Sequence, residues 1–217
     1  MPVLPIYLYF LAASFLVSTL AFFSRRFPEP YLKWFSVFLF VALVVEVIGN
    51  SLDLTGRANV HVYNYFTAFE FSCYILFVRA MVISPVARRI FLIVACIYFP
   101  ATSVYIYFYL QPLYFHAITY SLGCLLMVVA TVYFFLELFR NPRSSSLLRQ
   151  PAFWICTALL FFYCSSFPLY GLLNFWAENS PLIIANFSLI ISILNVFLYS
   201  LFSIAFLCRM TSRKYIS

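Results

Sequence analysis

Two glutamates lie where carboxyls are costly. Glu46 and Glu70 each sit inside a long apolar stretch, with no Lys or Arg within a helical turn of either. A charged side chain at the centre of a bilayer costs roughly 2.5–3.5 kcal/mol on insertion scales, so an ionisable residue in such a stretch marks a candidate functional group. Two carboxyls sharing one site do not both keep a negative charge without a counter-charge, so one of them holds a proton that an arriving ligand can displace. The competing chemistry is structural. A protonated or hydrogen-bonded carboxyl also serves as interhelical glue, worth ~0.6 kcal/mol per bond.

The spacing around the two glutamates extends the pattern. Glu46, Asn50 and Asp53 follow at i, i+4 and i+7, on one face of a helix, and Asn64, Thr67 and Glu70 follow at i, i+3 and i+6 on another. The two stretches are joined by a short connection, which makes them antiparallel neighbours whose polar faces meet. At ~1.5 Å per residue, both carboxyls fall roughly 7 to 12 Å beneath the outer end of their helices. His116 stands at the same level, as do Arg57, His61, Asn174, Glu178 and Asn186. These groups describe either an outward-opening polar cup or ordinary interfacial polarity. The candidate ligand- or proton-binding residues are Glu46, Asn50, Asn64, Glu70 and His116.

His61, His116 and a carboxyl are ligand types that suit zinc, but no pair of histidines at i, i+3 or i, i+4 prearranges such a site, and no metal or cofactor is expected. Glu137 stands three residues before Arg140, where an ion pair and snorkelling account for it. All six cysteines fall within apolar runs without a CxxC spacing and read as small packing residues. The chain carries no GxSxG, HExxH, phosphate loop or GxxxG. Its only lysines, Lys33 and Lys214, lie outside the apolar centres, which removes a retinal Schiff base. The expectation is a protein that is not an enzyme.

The elements that position these residues follow from composition. Of 217 residues, 65% are apolar and 9% charged, against about 25% charged in an ordinary soluble domain. The apolar runs are roughly 20 residues long without period-2 alternation, which is the signal of membrane-spanning helices. Runs bounded by Pro or charge give spans 3-23, 33-51, 62-83, 88-109, 114-139, 151-176 and 182-209. The predicted fold is all-α, a single polytopic seven-transmembrane-helix bundle over residues 1-217. Pro28, Pro30, Pro85, Pro112, Pro142, Pro151 and Pro181 punctuate the joints. Pro100 and Pro168 fall inside spans 4 and 6, where each frees a carbonyl and kinks the helix. Cys164, Ser165 and Ser166 precede Pro168, with hydroxyls that could compensate.

Charge sets the expected orientation. Arg25, Arg26, Lys33, Arg79, Arg88, Arg89, Arg140, Arg143, Arg149, Arg209, Arg213 and Lys214 border one side, and Arg57 alone borders the other. Retention of Lys and Arg in the cytoplasm puts the N-terminus outside and the C-terminus inside. The order of charge around span 1 is the reverse of a cleaved signal peptide, so this span is expected to stay. The net charge of +7 is a topology signal and implies no nucleic acid. Phe and Tyr read mostly as lipid contact and interfacial belt, and Asn195 with Ser188, Ser192 and Ser200 as helix-packing residues.

The run Glu46-Val47-Ile48-Gly49-Asn50, with Tyr63-Asn64-Tyr65 and Glu70-Phe71, resembles a pattern in uncharacterised seven-helix inner-membrane proteins of bacteria. The resemblance covers spans 2 and 3. It implies a bacterial inner (plasma) membrane location and carries no activity with it. The architecture is also similar to the seven-helix input modules of bacterial sensor kinases. Expected partners are membrane lipid, a small-molecule ligand from the outer side and a separate signalling protein. The expected function is a sensor of a small ligand or of protons. A proton-coupled transporter and an intramembrane metal-dependent lipid-modifying enzyme are the alternatives.

Overall fold

The structure, a computed structural model, describes residues 5–23, 29–54, 59–109, 115–140, 147–172 and 186–211. These residues form seven α-helices: α1 Ile6–Phe23, α2 Pro30–Leu54, α3 Val60–Met81, α4 Pro85–Tyr109, α5 Ala117–Arg140, α6 Pro151–Gly171 and α7 Phe187–Thr211. A 3-10 turn at Leu147–Arg149 leads into α6. Proline begins α2, α4 and α6, where the missing N–H would have no intrahelical partner anyway. The helices therefore start a few residues earlier than charge-bounded apolar runs suggest, at Pro30 and Pro85 rather than 33 and 88.

Six of the seven helices are long and apolar enough to cross a membrane, the pattern of a multi-pass membrane protein. Their outward faces carry large exposed apolar side chains, such as Leu16, Trp34, Ile93, Val129 and Ile193. The exception is α3, which has the length but spends its turns on His61, Asn64, Thr67, Glu70, Ser72 and Arg79. Asn64 and Ser72 are buried within the protein.

Packing explains why α3 differs. α1 packs against α2 and α7, α2 against α3, α3 against α5, α5 against α6, and α6 against α7, so six helices close a ring. α4 lies outside that ring against α3, with a slight contact to α5. Glycine makes the α3–α4–α5 junction close. A β-carbon on Gly123 of α5 would come within 2.5 Å of the Tyr98 hydroxyl and 2.7 Å of the Phe71 ring. Tyr98 uses that space to donate to the Thr119 carbonyl at 2.9 Å. Pro100 sits exposed on α4, and Pro168 exposed near the end of α6.

One end of the ring is filled with aromatic side chains. Phe35 and Phe38 of α2, Tyr74 and Phe77 of α3, and Phe202 and Phe206 of α7 are all buried there. Phe35 stands 4.9 Å from both Phe77 and Phe202 between ring centroids. Edge-on and tilted pairs of this kind pack densely and fill this end of the ring. The described basic residues Lys33, Arg79, Arg88, Arg89, Arg140 and Arg149 all lie at helix ends on this same side.

Glu137 ties that end together. Its two carboxylate oxygens accept the backbone N–H of Ile83 at 2.6 Å and of Ser84 at 2.7 Å. Those amides precede the first turn of α4, where N–H groups lack intrahelical acceptors and a negative charge is favoured. The sequence-based account of Glu137 through Arg140 misses this role, because the partner segment is over fifty residues away.

Candidate ligand cavity

The other end of the ring is hollow. A cavity of about 780 Å³ lies among the six ring helices and is lined from every one of them. Its rim includes Pro5, Asn59, Val60, Phe115 and Phe187, at the helix ends opposite the basic side. Its deeper wall includes Glu70, Phe162, Leu198 and Tyr199. α4 contributes nothing to it, as its place outside the ring requires.

Glu46 and Glu70 both line this cavity. Tyr7 of α1 donates to Glu46 Oε2 at 2.9 Å, and Tyr63 of α3 donates to the same oxygen at 3.1 Å. One oxygen thus holds three helices. Either protonation state suits this arrangement, since Oε2 accepts equally as a carboxylate oxygen or as the carbonyl of an acid whose proton sits on Oε1. Gly49, one turn beyond Glu46, makes the Tyr63 contact possible. A β-carbon there would stand 2.5 Å from the Tyr63 hydroxyl. Asn59 reinforces the turn by donating to the Gly49 carbonyl at 3.4 Å.

Glu70 faces the cavity one turn above Tyr74. The Tyr74 hydroxyl is fully buried beside this carboxyl, and no hydrogen-bond partner in good geometry meets it among the described residues. No described Lys or Arg lines the cavity.

Two of the expected site residues stand behind the wall. Asn64 and His116 are buried, and neither lines the cavity. The Asn64 Oδ1 accepts the His116 backbone N–H at 3.3 Å. The His116 ring spans two threonines, with Nε2 at 2.6 Å from Thr67 Oγ1 and Nδ1 at 2.7 Å from Thr119 Oγ1. Thr67 gives its own proton to the Tyr63 carbonyl at 2.8 Å, which assigns Nε2 as the donor and Nδ1 as the acceptor. His116 precedes α5, and burial lowers it from 6.5 to about 4, so it is neutral. Both ring nitrogens are committed, and the residue staples α3 to the start of α5. Asn50 lies one turn beyond Glu46 and does not line the cavity either.

Of the wider polar cup, His61 and Asn186 are exposed. Arg57, Asn174, Glu178 and the Asp53 side chain lie outside the described residues. No group of three His, Cys, Asp or Glu side chains comes together among the described residues.

The cavity wall holds residues that the sequence reading assigned elsewhere. Tyr7, Tyr63, Tyr120, Tyr170 and Tyr199 face it, although tyrosine in an apolar helix reads first as interfacial belt. The Tyr120 and Tyr170 rings lie 4.3 Å apart between centroids, tilted by 47°, and Phe187 meets Tyr170 edge-on at 5.2 Å. Ser188, Ser192, Asn195 and Tyr199 of α7 also line it. Their spacing of i, i+4, i+7 and i+11 places them on one helical face, a signal that was present in the sequence. Compared with protein-family models, curated proteins and solved structures, the chain matches none.

Proposed function

We propose that this chain crosses a bacterial inner membrane seven times, with its N-terminus outside, and binds a small ligand in the cavity that holds Glu46 and Glu70. α3 then crosses as the seventh span, shielded from lipid by α2, α4 and α5. The basic helix ends face the cytoplasm and the cavity faces outward. The observation that carries this reading is the cavity itself, of ligand size, hollow at one end and sealed by packed aromatic rings at the other. A cup closed at its base suits detection better than passage. Occupancy would shift the ring helices that Glu46, Tyr7 and Tyr63 hold together, and the shift would reach a separate signalling partner at the basic face.

Transport is the second reading, favoured by carboxyls able to carry a proton. It requires the Phe35, Phe77 and Phe202 packing to part in each cycle. A metal-dependent enzyme built on His116 has less support, since threonines occupy both ring nitrogens.

The test is a thermal-shift screen of small molecules against the reconstituted protein and the Glu46→Gln, Glu70→Gln double variant. Compounds that stabilise the native protein should lose at least tenfold in affinity in the variant. Equal stabilisation of both proteins by every hit would contradict the reading. Substrate flux into proteoliposomes driven by a pH gradient would replace sensing with transport.

A further inference from the structure

The cavity brings two carboxyls together with a largely aromatic wall. Tyr63, Phe66, Tyr120, Phe162, Tyr170 and Tyr199 surround Glu46 and Glu70, and no described Lys, Arg or His is among the lining residues. An aromatic face carries negative potential and attracts cations, most strongly where water is excluded. A carboxylate in the same enclosure attracts them further. An anion meets two carboxyls and no cationic side chain among the described lining residues, whereas a cation supplies the counter-charge that lets a carboxyl ionise there. A small metal ion takes several oxygen or nitrogen ligands, and no group of three His, Cys, Asp or Glu side chains comes together among the described residues. A bare or hydrated ion would also leave most of a 780 Å³ aromatic cavity unfilled. The wall and the carboxyls favour bulk and positive charge together.

We infer, on the reading of this cavity as a binding site, that its ligand is an amphipathic organic cation: an ammonium- or phosphonium-type charge carrying bulky apolar groups. The charged centre pairs with the carboxyl of Glu46 or Glu70. Glu46 is prepared for this role, because its two phenol donors hold Oε2 in place while Oε1 has no hydrogen bond among the described residues. The apolar groups lie against Phe66, Phe162, Tyr170 and Tyr199.

Two ions of nearly identical shape and opposite charge separate these factors. Tetraphenylphosphonium and tetraphenylborate are each equilibrated by dialysis against the protein in phosphatidylcholine nanodiscs, with empty nanodiscs subtracted. The expected result is saturable binding of one tetraphenylphosphonium per chain, at least tenfold tighter than tetraphenylborate. The Glu46→Gln, Glu70→Gln double variant weakens it tenfold or more, and Glu137→Gln, which alters a carboxyl outside the cavity, leaves it unchanged. Equal or tighter binding of the borate overturns the cation preference while leaving a binding cavity in place. Absence of saturable binding for both ions overturns the cavity reading as well. The charge comparison uses the native protein, so it does not depend on any variant folding.

Discussion

Tyr63 crosses α2 over the bare backbone of Gly49, at a place where a β-carbon would stand 2.5 Å from its phenolic oxygen. That crossing lets the phenol of α3 reach the carboxyl of Glu46 on α2. The glycine and the glutamate are thus one device, and the run from Glu46 to Asn50 has a physical reason for its glycine.

Gly49→Ala should therefore destabilise the protein by about 1 to 3 kcal/mol, the usual cost of forcing extra volume into a packed contact. In a Tyr63→Leu background the same change should become stabilising by about 0.5 to 1 kcal/mol, because alanine is the better helix former once the ring is gone. Thermal unfolding of the four proteins in nanodiscs gives the sign. A Gly49→Ala that stabilises the otherwise native protein would show that Tyr63 does not cross there.

Glu137→Ala should cost about 1.5 to 3 kcal/mol, since it strips a charged acceptor from two backbone N–H groups at the start of α4. Arg140→Ala should cost much less. Melting temperatures in the same lipid weigh capping against the ion pair, and equal losses for both variants would favour the ion-pair account.

His116 should make stability depend on pH. Its pKa in the folded protein, about 4, lies below its ordinary 6.5, so the unfolded state binds the proton more readily in between. The contribution is fully present above pH 6.5 and falls away as pH drops toward 4, by a few kcal/mol at most. Melting between pH 7.5 and 4 should show a steeper acid loss for the native protein than for His116→Gln. Parallel curves would mean that the imidazole is not enclosed by Thr67 and Thr119.

The sequence made some of this legible and hid the rest for identifiable reasons. Glu46 and Glu70 were visible because a carboxyl in an apolar run has few reasons to be there, and periodicity put them on faces that meet. Periodicity says which residues share a face and is silent on what lies opposite, so Asn64 and His116 read as cavity groups although they clasp each other behind its wall. The tyrosines were hidden by their double nature, apolar in the body and polar at the tip, which suits a membrane interface as well as a cavity. The closure of α3 against α5 rests on contacts such as Phe71 over Gly123, which no local pattern encodes. The polarity of α3 is the other side of the same fact, since a helix flanked by three others needs less apolar surface than one facing lipid.

The most direct measurement is the reactivity of Ser192→Cys, placed in a background without the six native cysteines, toward a membrane-impermeant thiol reagent added outside intact cells. Ser192 lines the cavity, and Phe202→Cys, in the aromatic seal, and Arg149→Cys, at the basic end, serve as comparisons. An outward-opening cavity predicts that Ser192→Cys is labelled and that the other two are protected. Protection of Ser192→Cys together with labelling of Arg149→Cys would contradict both the orientation and the opening of the site.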